Sequence, residues 1–337
     1  MEPTDRVYVI AEAGVNHNGS LETALALVDA AAAAGADAVK FQTFLAESLV
    51  APLAPKAAYQ RDTTSAGESQ LEMVRKLQLD ERAHRALMSR CQTRGIDFLS
   101  APFDLDSVRM LAELGLTTLK LPSGAVTDLP VLRAVGALGV EVILSTGMAT
   151  LEEVEAALLA LEAAGTSRAR VTVLHCTTEY PAAFEDVNLR AMCTMRDALG
   201  VRVGYSDHTT GVIVPVAAAA LGATVIEKHF TLDRTMPGPD HRASLEPGEL
   251  AEMVQAIRIV EAALGSGRKV PAPAEIENAR VARKSIVASR HIAKGAVLSD
   301  DNLTTKRPGT GVSPMRWDDV VGTSAVRDFD ENEAIEL

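Results

Sequence analysis

The feature that most restricts the possible folds of this chain is a regular alternation of short apolar runs with helical segments. Each run is typical of a strand buried on both faces, and each is followed by a helical pattern. Strand–helix repeats of this kind build parallel sheets, and eight of them predict a (β/α)8 TIM barrel. The predicted strands are Val7–Ala11, Ala36–Lys40, Asp97–Ser100, Thr117–Leu121, Glu141–Leu144, Arg170–Leu174, Val201–Gly204 and Ala223–Ile226. An open doubly wound sheet is the alternative, but no GxGxxG turn follows the first strand.

The chain has 337 residues, more than the roughly 250 that one barrel needs. The last barrel helix is predicted over Pro247–Leu264, so residues 1–264 form the barrel domain. Residues 265–278 contain the sequence GSGRKVPAPAE and are predicted as a linker. Residues 279–337 are predicted as a small β-rich domain. Its short strand-like runs are Lys284–Ala288, Ala296–Leu298, Leu303–Thr305 and Ala325–Arg327.

Composition excludes several classes of protein. A net charge of −12 argues against a nucleic-acid-binding protein. The apolar stretches are too short or too broken for a membrane span, and the N-terminus lacks the apolar core of a signal peptide. Cys91, Cys176 and Cys193 show no CxxC spacing, which favours a reducing compartment. We therefore expect a soluble, cytoplasmic protein.

Two histidines follow neighbouring predicted strands at the edge where parallel α/β proteins bind ligands. His208 comes after Val201–Gly204, and His229 comes after Ala223–Ile226. Paired imidazoles suit a divalent transition metal. The alternative is a pair of rim histidines held by ordinary hydrogen bonds.

Two lysines and two serines at other strand ends suggest an anion site. Lys40 and Lys120 each end a strand, and Ser123 and Ser145 lie close to glycines. Ammonium groups, hydroxyls and free backbone amides together suit a phosphate or a carboxylate. The alternative for each lysine is a solvated charge on the rim.

Two carboxylates at the same edge have two possible roles. Glu12 is either a general acid/base or an ion-pair partner for Lys40 or Lys120. Glu227 either orients an imidazole or pairs with a lysine. We expect Cys176 to be a small buried residue, and we expect His84 and His291 to lie on the surface.

Nearly the whole chain resembles the sialic acid synthase family, which includes N-acetylneuraminate, legionaminic acid and pseudaminic acid synthases. The motifs AEAGVNHNG, VKFQT, SAPF, KLPSG, LSTGM, HCTTEYP, FEDVNL, YSDHT, IEKHFT and PGPDH carry the resemblance in order. The tail KSIVASRHIAKGAVLSDDNLTTKRPGTG resembles the family's C-terminal antifreeze-like (SAF, β-clip) domain. This resemblance implies a TIM barrel followed by a SAF domain.

The resemblance also implies a reaction: a transferase that condenses phosphoenolpyruvate with a 2-acetamido sugar aldehyde, N-acetylmannosamine or a 2,4-diacetamido hexose. The product is a nine-carbon 2-keto-3-deoxy acid, and phosphate is released. By motif, His208 and His229 bind a divalent metal, with manganese expected first and magnesium or cobalt as alternatives. Glu12 acts as the acid/base. The residues implied to hold phosphoenolpyruvate are Lys40, Lys120, Ser123, Ser145, Tyr180 and Ser206.

The resemblance assigns Gln42 and Asp240 to the sugar. It assigns Arg307 to the sugar of a partner subunit, which implies a homodimer with swapped SAF domains. Two positions depart from the family pattern: Ala101 replaces the Thr of STPF, and Ala125 replaces the Glu of SGE. The second departure leaves a non-standard aldehyde or a weak catalyst as an alternative. Other hypotheses are a metal-dependent barrel aldolase or lyase that does not use phosphoenolpyruvate, and a non-catalytic scaffold.

Overall fold

The computed structural model describes residues 6–56, 61, 64 and 67–337, and it confirms the predicted barrel. Eight parallel strands form one sheet in the order β3-β2-β1-β8-β7-β6-β5-β4, and β3 lies beside β4 at the remaining seam. Because β1 pairs with both β2 and β8, the first and last strands meet as a barrel requires. The strands are β1 (Tyr8–Gly14), β2 (Ala38–Thr43), β3 (Asp97–Pro102), β4 (Thr118–Leu121), β5 (Glu141–Ser145), β6 (Val171–His175), β7 (Arg202–Asp207) and β8 (Val225–His229).

One long helix follows each strand, and several begin at the residues that the sequence marks as N-caps. Ser20 and Asp80 accept the capping hydrogen bonds of the first two helices. Thr150 forms a capping box with Glu153. The helices are α1 (Leu21–Ala33), α2 (Glu81–Arg94), α3 (Leu105–Glu113), α4 (Leu129–Leu138), α5 (Leu151–Ala164), α6 (Arg190–Leu199), α7 (Ile213–Ala220) and α8 (Pro247–Leu264). Their buried faces and the outer faces of the strands form the main apolar core.

The interior of the barrel is layered, since alternate residues of each strand point inward. The lower layer is apolar and contains Ile10, Ala38, Leu99, Ile143, Leu174 and Val225. Glu12 lies two residues after Ile10 on β1, and Glu227 lies two residues after Val225 on β8, so both carboxylates point inward above this layer. Gly204 has no room for a side chain, because a Cβ there would lie 2.3 Å from the carbonyl oxygen of Val225. The apolar layer is thus the floor of a polar site.

The long segment after β2 is partly helical. Short helices cover Ala46–Leu49 and Gln70–Lys76, and they enclose an apolar cluster of Val15, Phe44, Ala46, Val50, Met73, Val74 and Leu77. Lys56 is buried and pairs with Glu68 at 3.1 Å. The remainder of the loop predicted over 44–70 includes 57–60, 62–63 and 65–66, which lie outside the described residues.

The prediction that His84 lies on the surface is wrong. His84 is fully buried, because its Nε2 lies 2.7 Å from Thr43 Oγ1 and its Nδ1 lies 2.8 Å from the carbonyl oxygen of Asp80. Both ring nitrogens thus have partners inside the protein, which lets the ring leave water. His291 is exposed as predicted.

The chain divides into two compact units, 1–266 and 267–337. The second unit contains a helix over Pro273–Ala282, an antiparallel pair β9 (Ser285–Ala288) and β10 (Leu303–Lys306), and a small apolar core. The predicted runs 296–298 and 325–327 are not strands; an isolated bridge joins Val297 to Ser324. The helix at Pro273 begins inside the segment predicted as a linker, and the boundaries 1–264, 265–278 and 279–337 stay predictions. In the described part of the chain, no helix is long and apolar enough to cross a bilayer.

Candidate active site

The carboxyl ends of the strands surround a polar cavity of about 170 Å³. Most of the site residues predicted from the sequence line it together. They are Glu12, Lys40, Gln42, Lys120, Ser123, Ser145, Tyr180, Ser206, His208 and His229. Their shared position follows from the parallel topology, which brings every strand's carboxyl end to one rim.

Two carboxylates and two lysines form a buried network at the base of this cavity. Lys40 Nζ lies 2.8 Å from Glu12 Oε2 and 3.4 Å from Glu227 Oε2. Lys120 Nζ lies 3.0 Å from Glu227 Oε1, which also accepts a hydrogen bond of 2.8 Å from the Ser206 hydroxyl. Both carboxylates are therefore ion-pair partners of lysines. The lysines are buried in the rim and are not solvated.

Burial and pairing shift the titration of this network. Burial raises the pKa of Glu12, and the neighbouring Glu227 adds to the rise against the pull of Lys40. Burial also lowers the pKa of Lys120. For Glu227 burial is the largest factor and acts upward, but Lys120 and Lys40 together hold its pKa well below the usual range. Glu227 is thus the permanent anion of the network, while Glu12 is the carboxyl group best suited to exchange a proton.

Hydrogen-bond donors gather on the other side of the cavity. The hydroxyl of Ser145 is buried and has no hydrogen-bond partner among the described residues. The Gly147 amide donates to Cys176 Sγ at 3.1 Å, and Ser123 Oγ lies 3.3 Å from the same sulfur. A side chain at Gly147 would lie 2.3 Å from Thr178 Oγ1, so only glycine brings its amide this close. This edge offers donors to an anion and confirms that Cys176 is buried.

The two histidines face each other at the top of the cavity. Their ring centroids are 5.4 Å apart, and the ring of Tyr180 packs on both, 4.2 Å from His208 and 5.5 Å from His229. His208 Nδ1 donates to the carbonyl oxygen of Thr177 at 2.6 Å, which leaves its Nε2 as a lone-pair donor. His229 Nδ1 is buried without a hydrogen-bond partner in the described part of the chain.

Burial keeps both imidazoles neutral. It lowers the pKa of His208 to about 4. Burial, and then His208 and Lys40, hold the pKa of His229 well below its ordinary value. Neutral rings with free nitrogens are the form that binds metal ions, so the pair fits a divalent cation.

A second, larger cavity of about 360 Å³ adjoins the first. The two cavities share Gln42, Phe103, Tyr180 and His229. Apolar side chains line one side of the second cavity: Val15, Phe44, Leu49, Val50, Ala51, Ala54, Met73, Val74, Leu77 and Phe103. Asp240 stands at its polar edge, and burial, with repulsion from Glu12, raises the pKa of Asp240 to about 7.

Arg307 belongs to the C-terminal unit. It is exposed there, and its Nε donates to the carbonyl oxygen of Ala282 at 2.9 Å. Its predicted contact with a sugar stays a prediction.

Sequence reasoning left Glu227 between orienting an imidazole and pairing with a lysine, and the structure shows the pairing with lysines. It missed the contacts that Cys176 makes with Ser123 and Gly147. A signal for Glu227 was present, since Val225, Glu227 and His229 alternate along one strand and therefore face the same side. Ala101 lines the first cavity. Ala125 is the middle residue of a short 3₁₀ turn over Ser123–Thr127 and is buried in the apolar core.

Comparison with known proteins gives consistent matches over both units. Residues 27–269 match the NeuB family, and residues 283–336 match the SAF domain. The chain is 51% identical over 330 residues to N,N'-diacetyllegionaminic acid synthase of Campylobacter jejuni subsp. jejuni, covering 98% of this chain and 99% of that protein. It is 46% identical over 318 residues to the N,N'-diacetyllegionaminic acid synthase of Legionella pneumophila, covering 94% and 89%.

A solved structure with the same fold is the N-acetylneuraminic acid synthetase of Leptospira borgpetersenii in complex with citrate. It superposes with a TM-score of 0.71 at 35% identity, covering 81% of this chain and 90% of that one.

Proposed function

Because the chain belongs to the NeuB family, we propose that it condenses phosphoenolpyruvate with a 2-acetamido sugar aldehyde and releases phosphate. The product is a nine-carbon 2-keto-3-deoxy acid. The observation that carries this proposal is one cavity in which two buried lysines, two neutral imidazoles and a hydroxyl without a partner in the described part of the chain meet. An anionic enol ester and a polarisable aldehyde need these groups side by side.

Phosphoenolpyruvate occupies the first cavity in this proposal. Lys40 and Lys120 supply positive charge, and Ser123, Ser145 and Ser206 supply hydroxyl donors. Tyr180 lies over this region from the histidine side. The solved relative from Leptospira borgpetersenii is in complex with citrate, which is also a small polyanion.

The histidine pair holds a divalent metal ion, with manganese as the first candidate. His208 Nε2 and His229 Nδ1 are suitable donors, and among the described residues no group of three or more His, Cys, Asp or Glu side chains is placed to hold a metal ion. The remaining coordination positions therefore belong to water or substrate oxygens, as in an open catalytic site. When bound, the metal supplies Lewis-acid polarisation of the aldehyde oxygen.

The reaction needs one proton delivered and one removed. C3 of phosphoenolpyruvate attacks the aldehyde carbon, and the aldehyde oxygen gains a proton. Water adds at C2 and loses one proton, which balances the proton gained by the aldehyde oxygen. The C–O bond to phosphate then breaks, the C2 hydroxyl becomes the ketone, and its proton leaves with the phosphate. Glu12 has the raised pKa and the buried position that suit it to both transfers, and Gln42 holds its Oε1 at 3.2 Å.

The sugar occupies the second cavity, with Gln42 and Asp240 at its polar edge. The apolar lining has room for methyl groups, which a 2,4-diacetamido hexose carries in greater number than N-acetylmannosamine. The two relatives from Campylobacter and Legionella are named for a diacetylated product. We therefore place a 2,4-diacetamido hexose before N-acetylmannosamine. The alternative suggested by Ala125, a non-standard aldehyde or a weak catalyst, is not favoured, because that residue lies in the apolar core.

The SAF domain of a partner subunit brings Arg307 to the sugar, and the enzyme is a domain-swapped homodimer. The exposure of Arg307 in its own unit leaves it available for such a contact. Mixing Arg307→Ala with Lys120→Met chains tests this arrangement. If each site uses two chains, subunit exchange restores one complete site per heterodimer and activity returns. If each site uses one chain, the mixture stays inactive.

The reaction is tested by phosphate release from phosphoenolpyruvate with manganese, using N-acetylmannosamine, a 2,4-diacetamido-2,4,6-trideoxy hexose and mannose as acceptors. We expect release with an N-acetylated sugar that a chelator and His229→Ala abolish. His291→Ala removes an exposed histidine and is the matched control, which should keep full activity. Release that survives both chelator and His229→Ala contradicts the metal assignment, and silence with every acceptor contradicts the proposed reaction.

A further inference from the structure

The last residues of β7 and β8 and the residues just after them form three facing pairs. Ser206 and Asp207 lie opposite Glu227 and Lys228 in the strand register, and His208 and His229 come next. Side chains alternate along a strand, so the first and third pairs point into the barrel. The Asp207–Lys228 pair must then point outward, away from the cavity. Neither of its residues lines the cavity.

This outward pair is an ion pair with both side chains completely buried, at 0% exposure. Lys228 Nζ donates to Asp207 Oδ2 and to the carbonyl oxygen of Thr209. Asp207 Oδ1 accepts from the backbone amide of Thr209 at 3.1 Å and from its hydroxyl at 3.0 Å. The contacts therefore fix the backbone immediately before and immediately after His208, and they tie it to the residue immediately before His229.

A buried ion pair of this kind is a poor device for stability alone. Removing two ions from water costs about as much as their attraction returns, and apolar pairs of similar volume often stabilise as well. What the charged pair supplies is a fixed geometry, since it holds only when all its hydrogen bonds are made. His208 is held through its bond to the Thr177 carbonyl oxygen, but His229 lacks such fixing, because its Nδ1 has no hydrogen-bond partner among the described residues.

We infer that Asp207 and Lys228 are positioning residues that set the separation and orientation of His208 and His229 for the metal ion. The inference rests on the proposed function, because it takes the histidine pair as the metal site. The pair acts from outside the barrel, without touching substrate or metal. Groups that orient metal ligands from behind typically change metal affinity about 10- to 100-fold when they are removed.

This role is tested by measuring manganese binding to the full chain through the EPR signal of free Mn²⁺. Asp207→Asn keeps the shape of the side chain and removes its charge, and we expect the Kd for manganese to rise at least about tenfold. The matched control is Asp37→Asn at the opposite end of the barrel. Asp37 pairs with Arg258 at 2.6 Å and accepts from the Val9 amide at 2.8 Å, so its loss lowers the melting temperature without weakening manganese binding.

A milder variant covers the case in which Asp207→Asn does not fold. Thr209→Val keeps the ion pair and removes only the hydroxyl bond to Asp207, and we expect a rise in the manganese Kd of about threefold. An unchanged Kd in the folded variant, whatever its melting temperature, overturns the inference and leaves the proposed reaction intact. A wild-type chain that binds no manganese overturns it together with the metal site. The phosphate-release assay then shows whether the reaction itself survives.

Discussion

Replacing Glu227 with Gln isolates the charge on which the base of the cavity depends. The substitution keeps the size of the side chain and an oxygen that can accept from Ser206. It removes the negative charge that lies 3.0 Å from Lys120 Nζ and 3.4 Å from Lys40 Nζ. Lys40 retains Glu12, but within the described residues Lys120 has no other carboxylate within ion-pair distance.

The expected cost is set by leaving one buried ammonium group without its counter-charge. Breaking a buried ion pair by removing one partner typically costs 3–5 kcal/mol, and the retained amide oxygen places this case near the lower end, at about 3 kcal/mol. A small anion bound beside the lysines restores the missing charge. At about 100 times its Kd, such a ligand stabilises the folded state by about 2.7 kcal/mol, which offsets most of the loss.

Urea unfolding with and without inorganic phosphate measures both effects. We expect Glu227→Gln to lower the free energy of unfolding by about 3 kcal/mol. We also expect phosphate to stabilise the variant more than the wild type, in which the anion competes with Glu227. The control is Glu141→Gln, an exposed partner of Arg170 and Arg202, whose loss costs less than about 1 kcal/mol and gives no additional response to phosphate.

Either of two results refutes this reasoning. An unfolding free energy for Glu227→Gln that matches the Glu141→Gln control means that the lysines do not depend on this carboxylate. If Glu227→Gln loses stability but phosphate stabilises it no more than it stabilises the wild type, the space beside the lysines does not bind an anion.

Three further predictions concern single features of the barrel. Ser145→Ala removes a buried hydroxyl that has no partner among the described residues, so the free energy of unfolding should be unchanged. The KM for phosphoenolpyruvate should rise about 10- to 100-fold. An unchanged KM contradicts the assignment of this hydroxyl to the anion. Burial lowers the pKa of both His17 and His241 to about 4. Unfolded histidine binds a proton near pH 6.5, whereas these two buried rings stay neutral down to about pH 4. Their contribution to the free energy of unfolding is therefore complete above about pH 6.5 and is lost as the pH falls through 4. Urea unfolding from pH 7.5 to 4.5 should show the decline, and His17→Gln should flatten it. Val50→Thr adds a hydroxyl to the apolar side of the second cavity. It should lower kcat/KM for the diacetamido sugar up to about tenfold more than kcat/KM for N-acetylmannosamine. Equal losses for the two sugars count against the assigned sugar position.

The barrel could be predicted from the sequence because its signals are local. Runs such as Val7–Ala11 are apolar on both faces, and residues such as Ser20 and Thr150 cap helices through bonds that span three residues. The residues facing the cavity also follow from local spacing, because every second residue of a strand points inward. The fold of the C-terminal unit was less predictable, since its runs at 296–298 and 325–327 are joined only by an isolated bridge.

The partners of buried polar groups could not be predicted in the same way. His84 was expected on the surface, yet its ring reaches Thr43 on a neighbouring strand. Lys120 and Glu227 are 107 residues apart in the chain, and only the closed barrel brings them together. Such pairings depend on tertiary distances that a sequence pattern does not contain.

The charge balance of the cavity is a property that the sequence left open. Lys40 and Lys120 suggested an anion site, with pairing to Glu12 or Glu227 as an alternative, and both carboxylates already balance them in the structure. An incoming phosphoenolpyruvate therefore meets a nearly neutral site, and its own charge must be matched by other means. Two are available in the same cavity: Glu12, whose raised pKa favours taking up a proton, and a divalent ion at the two neutral histidines. Binding of phosphoenolpyruvate, protonation of Glu12 and binding of the metal should therefore reinforce one another, which makes the empty site selective for the assembled set of reactants.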